Sequence, residues 1–313
     1  MKQIALMFPG QGSQKVGMAK QFYEQYNDVQ ALFKEANVIL NKDITELMLE
    51  GPESTLTNTE NAQPALLLCS YIIYKVLADH GIKPIAAVGH SLGEYSALVA
   101  AGALSLQEAL PLVERRGQLM EKAVPKGQGT MAAVLGLNQT EIEDVLNQMD
   151  AQEIVDIANL NTPKQIVISG TKEGIEKAKI RLIEAGARRV IPLNVSGPFH
   201  SRLMKQANEE FEKALNNVSL TDANIPVYAN VTANPVTDRD SIKQLLIKQM
   251  YSPVRFEQSI RHMIDRGMNV FVEVGHGKVL SGLVKKIDRR VQTFSIQDPT
   301  SMQEFLTWYK KEA

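Results

Sequence analysis

The sequence predicts an α/β protein with a parallel-sheet core interrupted by an inserted βαββαβ unit. Three observations lead there. Short β-like runs alternate with helix-period segments over the first hundred residues, as expected of parallel strands joined by helical crossovers. Gly127-Gln128-Gly129 then punctuates the chain, a flexible break. From 131 to 196 the order of elements becomes βαββαβ, the split-βαβ or ferredoxin-like arrangement, before the first pattern returns.

Taken in order, Ile4 to Phe8 reads as a strand, followed by helical patterns near 15 to 40 and 63 to 80. A second strand at Ile85 to Val88 leads into a helix from Ser91, and a long helix runs from 105 to 124. The inserted unit reads as strand Met131 to Leu137, helix Thr140 to Met149, strands Glu153 to Ala158 and Gln165 to Ser169, helix Gly174 to Ala185 and strand Arg189 to Val195. Beyond Ser196 come helix 200 to 216, strand Pro226 to Val231, helices 241 to 250 and 257 to 266, strand Asn269 to Val274, helix 278 to 287 and strand Val291 to Ile296. The expected organisation is a discontinuous domain of residues 1–127 and 197–313 carrying an insert of residues 128–196.

Composition narrows the function. The 313 residues are 44% apolar and 22% charged, which supplies a core and excludes intrinsic disorder. Thirty-four basic against 35 acidic residues leave a net charge of −1, so no overall field draws the chain to nucleic acid or an anionic membrane. The longest apolar stretch, Pro64 to Tyr74, ends at Lys75, short of the ~20 residues a spanning helix needs. The N-terminal apolar run is too short for a signal sequence, and a cytoplasmic location is expected. The single cysteine, Cys69, excludes an internal disulfide and a cysteine zinc cluster. Neither a metal nor a cofactor is expected, and the chain is expected to be a monomer.

The strongest motif is Gly89-His90-Ser91-Leu92-Gly93, between an apolar strand and a helix. That is the context a G-x-S-x-G nucleophile elbow requires: a sharp turn exposes the serine hydroxyl and aims the next backbone N–H, that of Leu92, at a developing oxyanion. The alternative is a glycine-bounded turn with Ser91 as helix N-cap. Among five histidines, His80 reads as a helix C-terminal cap, His90 as diverging from its neighbour, and His262 as part of a polar helix face. His200 and His276 remain as candidate bases. His200 is favoured by position, because it follows the rigid break Ser196-Gly197-Pro198-Phe199 at the return from the insert.

Two helices carry polar residues on apolar faces. Arg116 lies in the stripe of Ala109, Leu112, Val113 and Met120, and a core-facing arginine needs an anionic partner. That partner is either an internal carboxylate or a substrate's. Gln249 repeats the pattern with Ile242 and Leu246. Gly10-Gln11-Gly12-Ser13-Gln14 lacks the third glycine of a dinucleotide fingerprint, and reads instead as a loop able to supply a second oxyanion donor.

Together these segments resemble the bacterial malonyl-CoA:acyl carrier protein transacylases. The resemblance runs through Phe8-Pro-Gly-Gln-Gly-Ser-Gln14, Gln63-Pro64, Gly89-His-Ser-Leu-Gly-Glu-Tyr-Ser96, Arg116-Gly117, Gly197-Pro-Phe-His-Ser201, Gln249-Met-Tyr-Ser-Pro253 and Gly277-Lys-Val-Leu280. One departure is His276, where the family usually shows proline. The resemblance implies an α/β-hydrolase-like core with a ferredoxin-like insert. It implies ping-pong malonyl transfer from malonyl-CoA to acyl carrier protein, with Ser91 as nucleophile and His200 as general base. It further implies Arg116 as the carboxylate binder, the N–H groups of Gln11 and Leu92 as oxyanion hole, and Gln249 and Phe199 as substrate-site residues. In that family a backbone carbonyl at the Gln249 segment orients the histidine. A thioesterase would share Ser91 and His200 without a use for Arg116, a non-catalytic module would make the elbow a mere turn, and polyketide-type acyltransferase domains are closer relatives.

Overall fold

Ile4–Phe8 (β1) is apolar and buried at every position, as a central parallel strand covered on both faces must be. The computed structural model describes residues 2–125 and 127–311; the outermost ends of the expected domain segments and Lys126 lie outside them. After β1 the chain forms helices α1 (Lys20–Gln25), α2 (Asn27–Leu40), α3 (Ile44–Leu49), α4 (Glu53–Leu56) and α5 (Thr59–Asp79). Strand β2 (Ala86–Gly89), α6 (Leu92–Ala100) and α7 (Leu106–Lys122) follow. The middle section is β3 (Gly129–Leu135), α8 (Gln139–Leu146), β4 (Val155–Thr162), β5 (Gln165–Thr171), α9 (Lys172–Glu184) and β6 (Arg189–Pro192). The chain ends with α10 (Lys205–Asn216), β7 (Val227–Tyr228), β8 (Pro235–Val236), α11 (Arg239–Gln249), α12 (Phe256–Asp265), β9 (Val270–Val274), α13 (Val279–Ile287), β10 (Gln292–Ile296) and α14 (Pro299–Lys311).

Two sheets result. The larger has the order β10-β9-β1-β2-β7-β8, parallel throughout except for the β7–β8 pair. The smaller, β4-β5-β3-β6, is antiparallel and built from the middle section alone. Helices α8 and α9 pack their apolar residues, Ile142, Ile175, Ala178 and Leu182, onto Val134, Ile166 and Ile168 of this sheet in a core of its own. It is tied to the rest by backbone bonds across the seam, Leu160 N–H to Val254 O at 2.9 Å and Val254 N–H to Ala158 O at 2.8 Å. No helix among the described residues is long and apolar enough to cross a membrane.

Several boundaries differ from the sequence expectation, each for a local reason. The helix expected over 15 to 40 is broken at Tyr26, whose backbone is extended. The helix expected from 200 begins at Lys205 after a 3-10 turn at Arg202–Met204, because His200 has a φ of 59° and Ser201 is extended. The strand expected over Pro226 to Val231 stops at Tyr228, where Ala229 N–H turns to Asn234 O and Asn230 N–H to Glu94. Strand β6 ends at Pro192; Leu193 N–H still donates to Met131 O at 3.0 Å, but Val195 N–H then turns back to Leu193 O at 3.0 Å and leaves the ladder. Helices α3, α4 and α14 and strand β8 were not expected.

The topology positions the site. Parallel pairing aligns Phe8 with Gly89 and Val88 with Tyr228, so the segments leaving the carboxyl ends of β1, β2 and β7 emerge side by side. They carry Gln11, Ser91 and Asn230. Ligands of open parallel α/β sheets bind at that edge.

Candidate active site

The turn after β2 closes only because its glycines lack side chains. A Cβ on Gly89 would sit 1.9 Å from the Gly93 carbonyl carbon, and one on Gly93 would sit 2.0 Å from Phe8 O. Ser91 between them has φ 52° and ψ −105°, a region an L-residue occupies only when its surroundings compel it. Its N–H donates to Asn230 Oδ1 at 2.8 Å, while its carbonyl accepts from Glu94 N–H at 3.0 Å and Gln249 Nε2 at 3.1 Å. Asn230 Nδ2 closes the ring on Gly89 O at 2.7 Å. Although Ser91 occupies the N-cap position of α6, its side chain caps nothing.

Ser91 Oγ is instead 2.7 Å from His200 Nε2. The other ring nitrogen, Nδ1, lies 2.9 Å from Gln249 O and 3.2 Å from Ser252 O. Two carbonyl acceptors require the proton on Nδ1, which leaves the Nε2 lone pair facing the serine. Burial, with the nearby Arg116 guanidinium second, pushes the His200 pKa down to about 3, so the imidazole is neutral at physiological pH. His276 is remote in the chain from this pair, on the β9–α13 loop, and burial lowers its pKa as well.

Arg116 is buried on α7, as its place in the apolar stripe required. Nη1 donates to Gln63 Oε1 at 2.8 Å, and Nη2 donates to Gln249 Oε1 at 3.0 Å and Ser91 Oγ at 3.1 Å. The guanidinium carbon lies 5.3 Å from the Tyr95 ring centre. No carboxylate among the described residues forms an ion pair with it, so of the two partners the sequence leaves open, an internal carboxylate and a substrate's, the internal one is not in contact. Neutral amide oxygens and a ring face hold it instead.

Gln11 and Phe199 line the same cavity as Ser91 and His200, about 130 Å³ in volume, with Met120, Met131, Leu193 and Val195 supplying apolar wall. The cavity lies between the two sheets. Neither the Gln11 N–H nor the Leu92 N–H is spent on a hydrogen bond among the described residues, whereas the Gln11 amide side chain is anchored on Thr59 Oγ1 at 3.1 Å. His90 diverges from Ser91, its Nε2 lying 2.8 Å from Asn161 Oδ1 on β4.

A paired serine and histidine, an unpaired buried arginine beside the hydroxyl and two unspent N–H groups suit acyl transfer of an anionic acyl group. The model of the acyl transferase domain family matches residues 6–311. A malonyl CoA-acyl carrier protein transacylase of Bacillus subtilis is 48% identical over 313 residues, covering 100% of this chain and 99% of its own. The chain belongs to this family of transacylases. Solved members superpose closely: an acyl carrier protein S-malonyltransferase from Vibrio cholerae has a TM-score of 0.95 at 42% identity, over 97% of this chain and 100% of that one. A malonyl-transacylase in complex with a type II PKS acyl-carrier protein has a TM-score of 0.95 at 37% identity, over 98% of this chain and 97% of that one.

Sequence reasoning missed the residues that hold these transacylase groups in place. Asn230 has no motif around it; the sequence places it inside the strand expected over Pro226 to Val231, and only the early end of β7 at Tyr228 puts it past the carboxyl edge. Glu94 read as a helix residue, yet it is buried and accepts from Asn230 N–H at 3.0 Å and Gln249 Nε2 at 2.7 Å. Burial pushes its pKa up to about 7 against those hydrogen bonds and the Arg116 charge. A charged residue on an otherwise small, apolar helix was the available signal.

Proposed function

We propose that the chain transfers a malonyl group from malonyl-CoA to the phosphopantetheine thiol of acyl carrier protein through a malonyl-serine at Ser91. Ser91 Oγ attacks the thioester carbonyl as His200 Nε2 takes its proton. The N–H groups of Gln11 and Leu92 receive the oxyanion. The intermediate collapses with cleavage of the carbon–sulfur bond, and His200 returns the proton to the departing CoA thiolate. In the second half the carrier thiol gives its proton to His200, attacks the ester carbonyl, and Ser91 leaves as its hydroxyl. The carbonyls of Gln249 and Ser252 hold the histidine in one tautomer, the part a carboxylate plays in a Ser-His-Asp triad.

The observation that carries this reading is Arg116. A fork of donors beside the nucleophile, with no carboxylate of its own, suits a planar carboxylate two carbons from the reacting carbonyl. Phe199 and the neighbouring apolar residues supply wall to the same cavity. We read the larger sheet as an α/β-hydrolase-like catalytic domain of residues 1–127 and 197–313. The antiparallel sheet, with strand order 2-3-1-4 in its own numbering, we read as a ferredoxin-like insert of residues 128–196 that covers the site. A cytoplasmic monomer fits the reading.

Incubation with malonyl-CoA and phosphopantetheinylated carrier tests it. Acylated carrier without stoichiometric free malonate is expected. Free malonate with no acylated carrier would make the chain a thioesterase.

A further inference from the structure

The amide of Gln249 stands between one buried cation and one buried anion. Its Nε2 faces only oxygens, Glu94 Oε2 at 2.7 Å, Ser91 O at 3.1 Å and Asn230 Oδ1 at 3.4 Å. Its Oε1 faces Arg116 Nη2 at 3.0 Å. That environment fixes which end is nitrogen and which is oxygen. Of the three oxygens on the nitrogen side, only Glu94 belongs to an ionisable side chain, and it is the shortest contact.

Glu94 forms no ion pair among the described residues and does not reach the serine hydroxyl, so the chemistry of transfer leaves it without a use. Burying an unpaired carboxylate is costly, and so is burying an unpaired guanidinium. Placing the two one amide apart offsets both charges. It also avoids the consequence of direct contact, because a carboxylate seated on the Arg116 fork would compete with any carboxylate the substrate brings.

We propose that Glu94 is a positioning residue for acyl selection: held one amide away from Arg116, it fixes the orientation of Gln249 and balances the guanidinium without seating a carboxylate on it, so that Nη2, which donates to Gln249 Oε1 and Ser91 Oγ, can turn its Ser91-facing hydrogen to the substrate carboxylate. The inference rests on the reading that Arg116 binds that carboxylate. A glutamine at position 94 leaves the Gln249 nitrogen with Ser91 O and Asn230 Oδ1 alone as fixed acceptors and removes the charge that balances the guanidinium, so the fork is held less firmly. Acetyl groups, which do not use the fork, are affected less.

The test compares Glu94→Gln, Gln249→Glu and Arg116→Ala, each assayed for kcat/KM with malonyl-CoA and with acetyl-CoA. Glu94→Gln keeps the side-chain volume, and the malonyl-to-acetyl ratio is expected to fall about ten- to hundredfold, the size of one charge-assisted hydrogen bond. Gln249→Glu, which brings a carboxylate onto Arg116 itself, is expected to lower the same ratio further. It carries the test if Glu94→Gln fails to fold. An unchanged or raised ratio in these variants, with Arg116→Ala still selectively impaired on malonyl-CoA, overturns the role of Glu94 alone. Equal loss of both substrates in Arg116→Ala removes the reading beneath it.

Discussion

Replacing Arg116 by alanine separates a substrate-binding arginine from a structural one. The side chain is fully enclosed and satisfies Gln63 and Gln249, yet it contacts no carboxylate. In the malonyl complex its removal leaves a buried carboxylate without a partner, which costs about 2–5 kcal/mol. That corresponds to roughly 30-fold to several-thousand-fold in kcat/KM for malonyl-CoA. Acetyl-CoA brings no such charge, so acetyl transfer should be kept or improved. The fold loses hydrogen bonds to two amide oxygens and to Ser91 Oγ but no ion pair; Glu94, left without the balancing charge, can take up a proton, and water can enter the polar space left beside the cavity, so the melting midpoint should move by a few degrees only. The assay is steady-state transfer from both acyl-CoAs to the carrier, alongside thermal unfolding. Parallel loss of both activities with a strongly lowered midpoint would refute the reasoning and make Arg116 a structural residue.

Further outcomes are expected. Because burial and Arg116 hold the His200 pKa near 3, acetyl-CoA kcat/KM should show no acid limb at the ordinary histidine value of ~6.5; Arg116→Ala, by removing one of those causes, should move the limb upward, and a wild-type midpoint near 6.5 would contradict this. Glu94 binds its proton more tightly in the folded protein, from an ordinary 4.5 to about 7. Its contribution is therefore fully present below pH 4.5 and lost as pH rises through 7, so melting temperatures at pH 5 and 8 should show the wild type falling relative to Glu94→Gln; the reverse trend would sink the assignment. On the α13 side, Lys285 donates to Val291 O at 2.6 Å and Arg290 pairs with Asp288 at 2.6 Å, which leaves Lys286 and Arg289 as the freer charges. If this face meets an acidic carrier, Lys286→Glu should raise the carrier KM at low salt, more than Lys285→Glu, with little effect on malonyl-CoA; equal constants at low and high salt would leave it as ordinary surface.

What the sequence reveals follows from how local each signal is. The alternation of strands and helices and the βαββαβ order are periodic patterns, and the element order matches them closely. Ser91 was legible because a strand, two glycines and a helix are contiguous, and Arg116 because a charge interrupts an apolar stripe. His200 required a choice between two loop histidines that only spatial proximity decides. Its backbone at φ 59° is set by a long-range bond from its N–H to Met250 O at 3.2 Å, which no local pattern announces; hence the misplaced helix start. Asn230 and Glu94 act through contacts 136 residues apart, created by parallel pairing of β2 with β7. Helices α3 and α4 have only 6 and 4 residues, too few turns for a period to show, whereas α14 has 13 residues and a stripe of Met302, Phe305 and Leu306 that was there to be read.

The central claim is that Ser91 carries the malonyl group between donor and carrier. Brief exposure of the protein to malonyl-CoA, acid quenching and peptide mass spectrometry test it directly. A malonyl ester on the peptide containing Ser91 is expected, discharged when the carrier thiol is added and absent from Ser91→Ala. An adduct of equal yield on Ser91→Ala, or one on Ser91 that the carrier cannot discharge, would contradict the account.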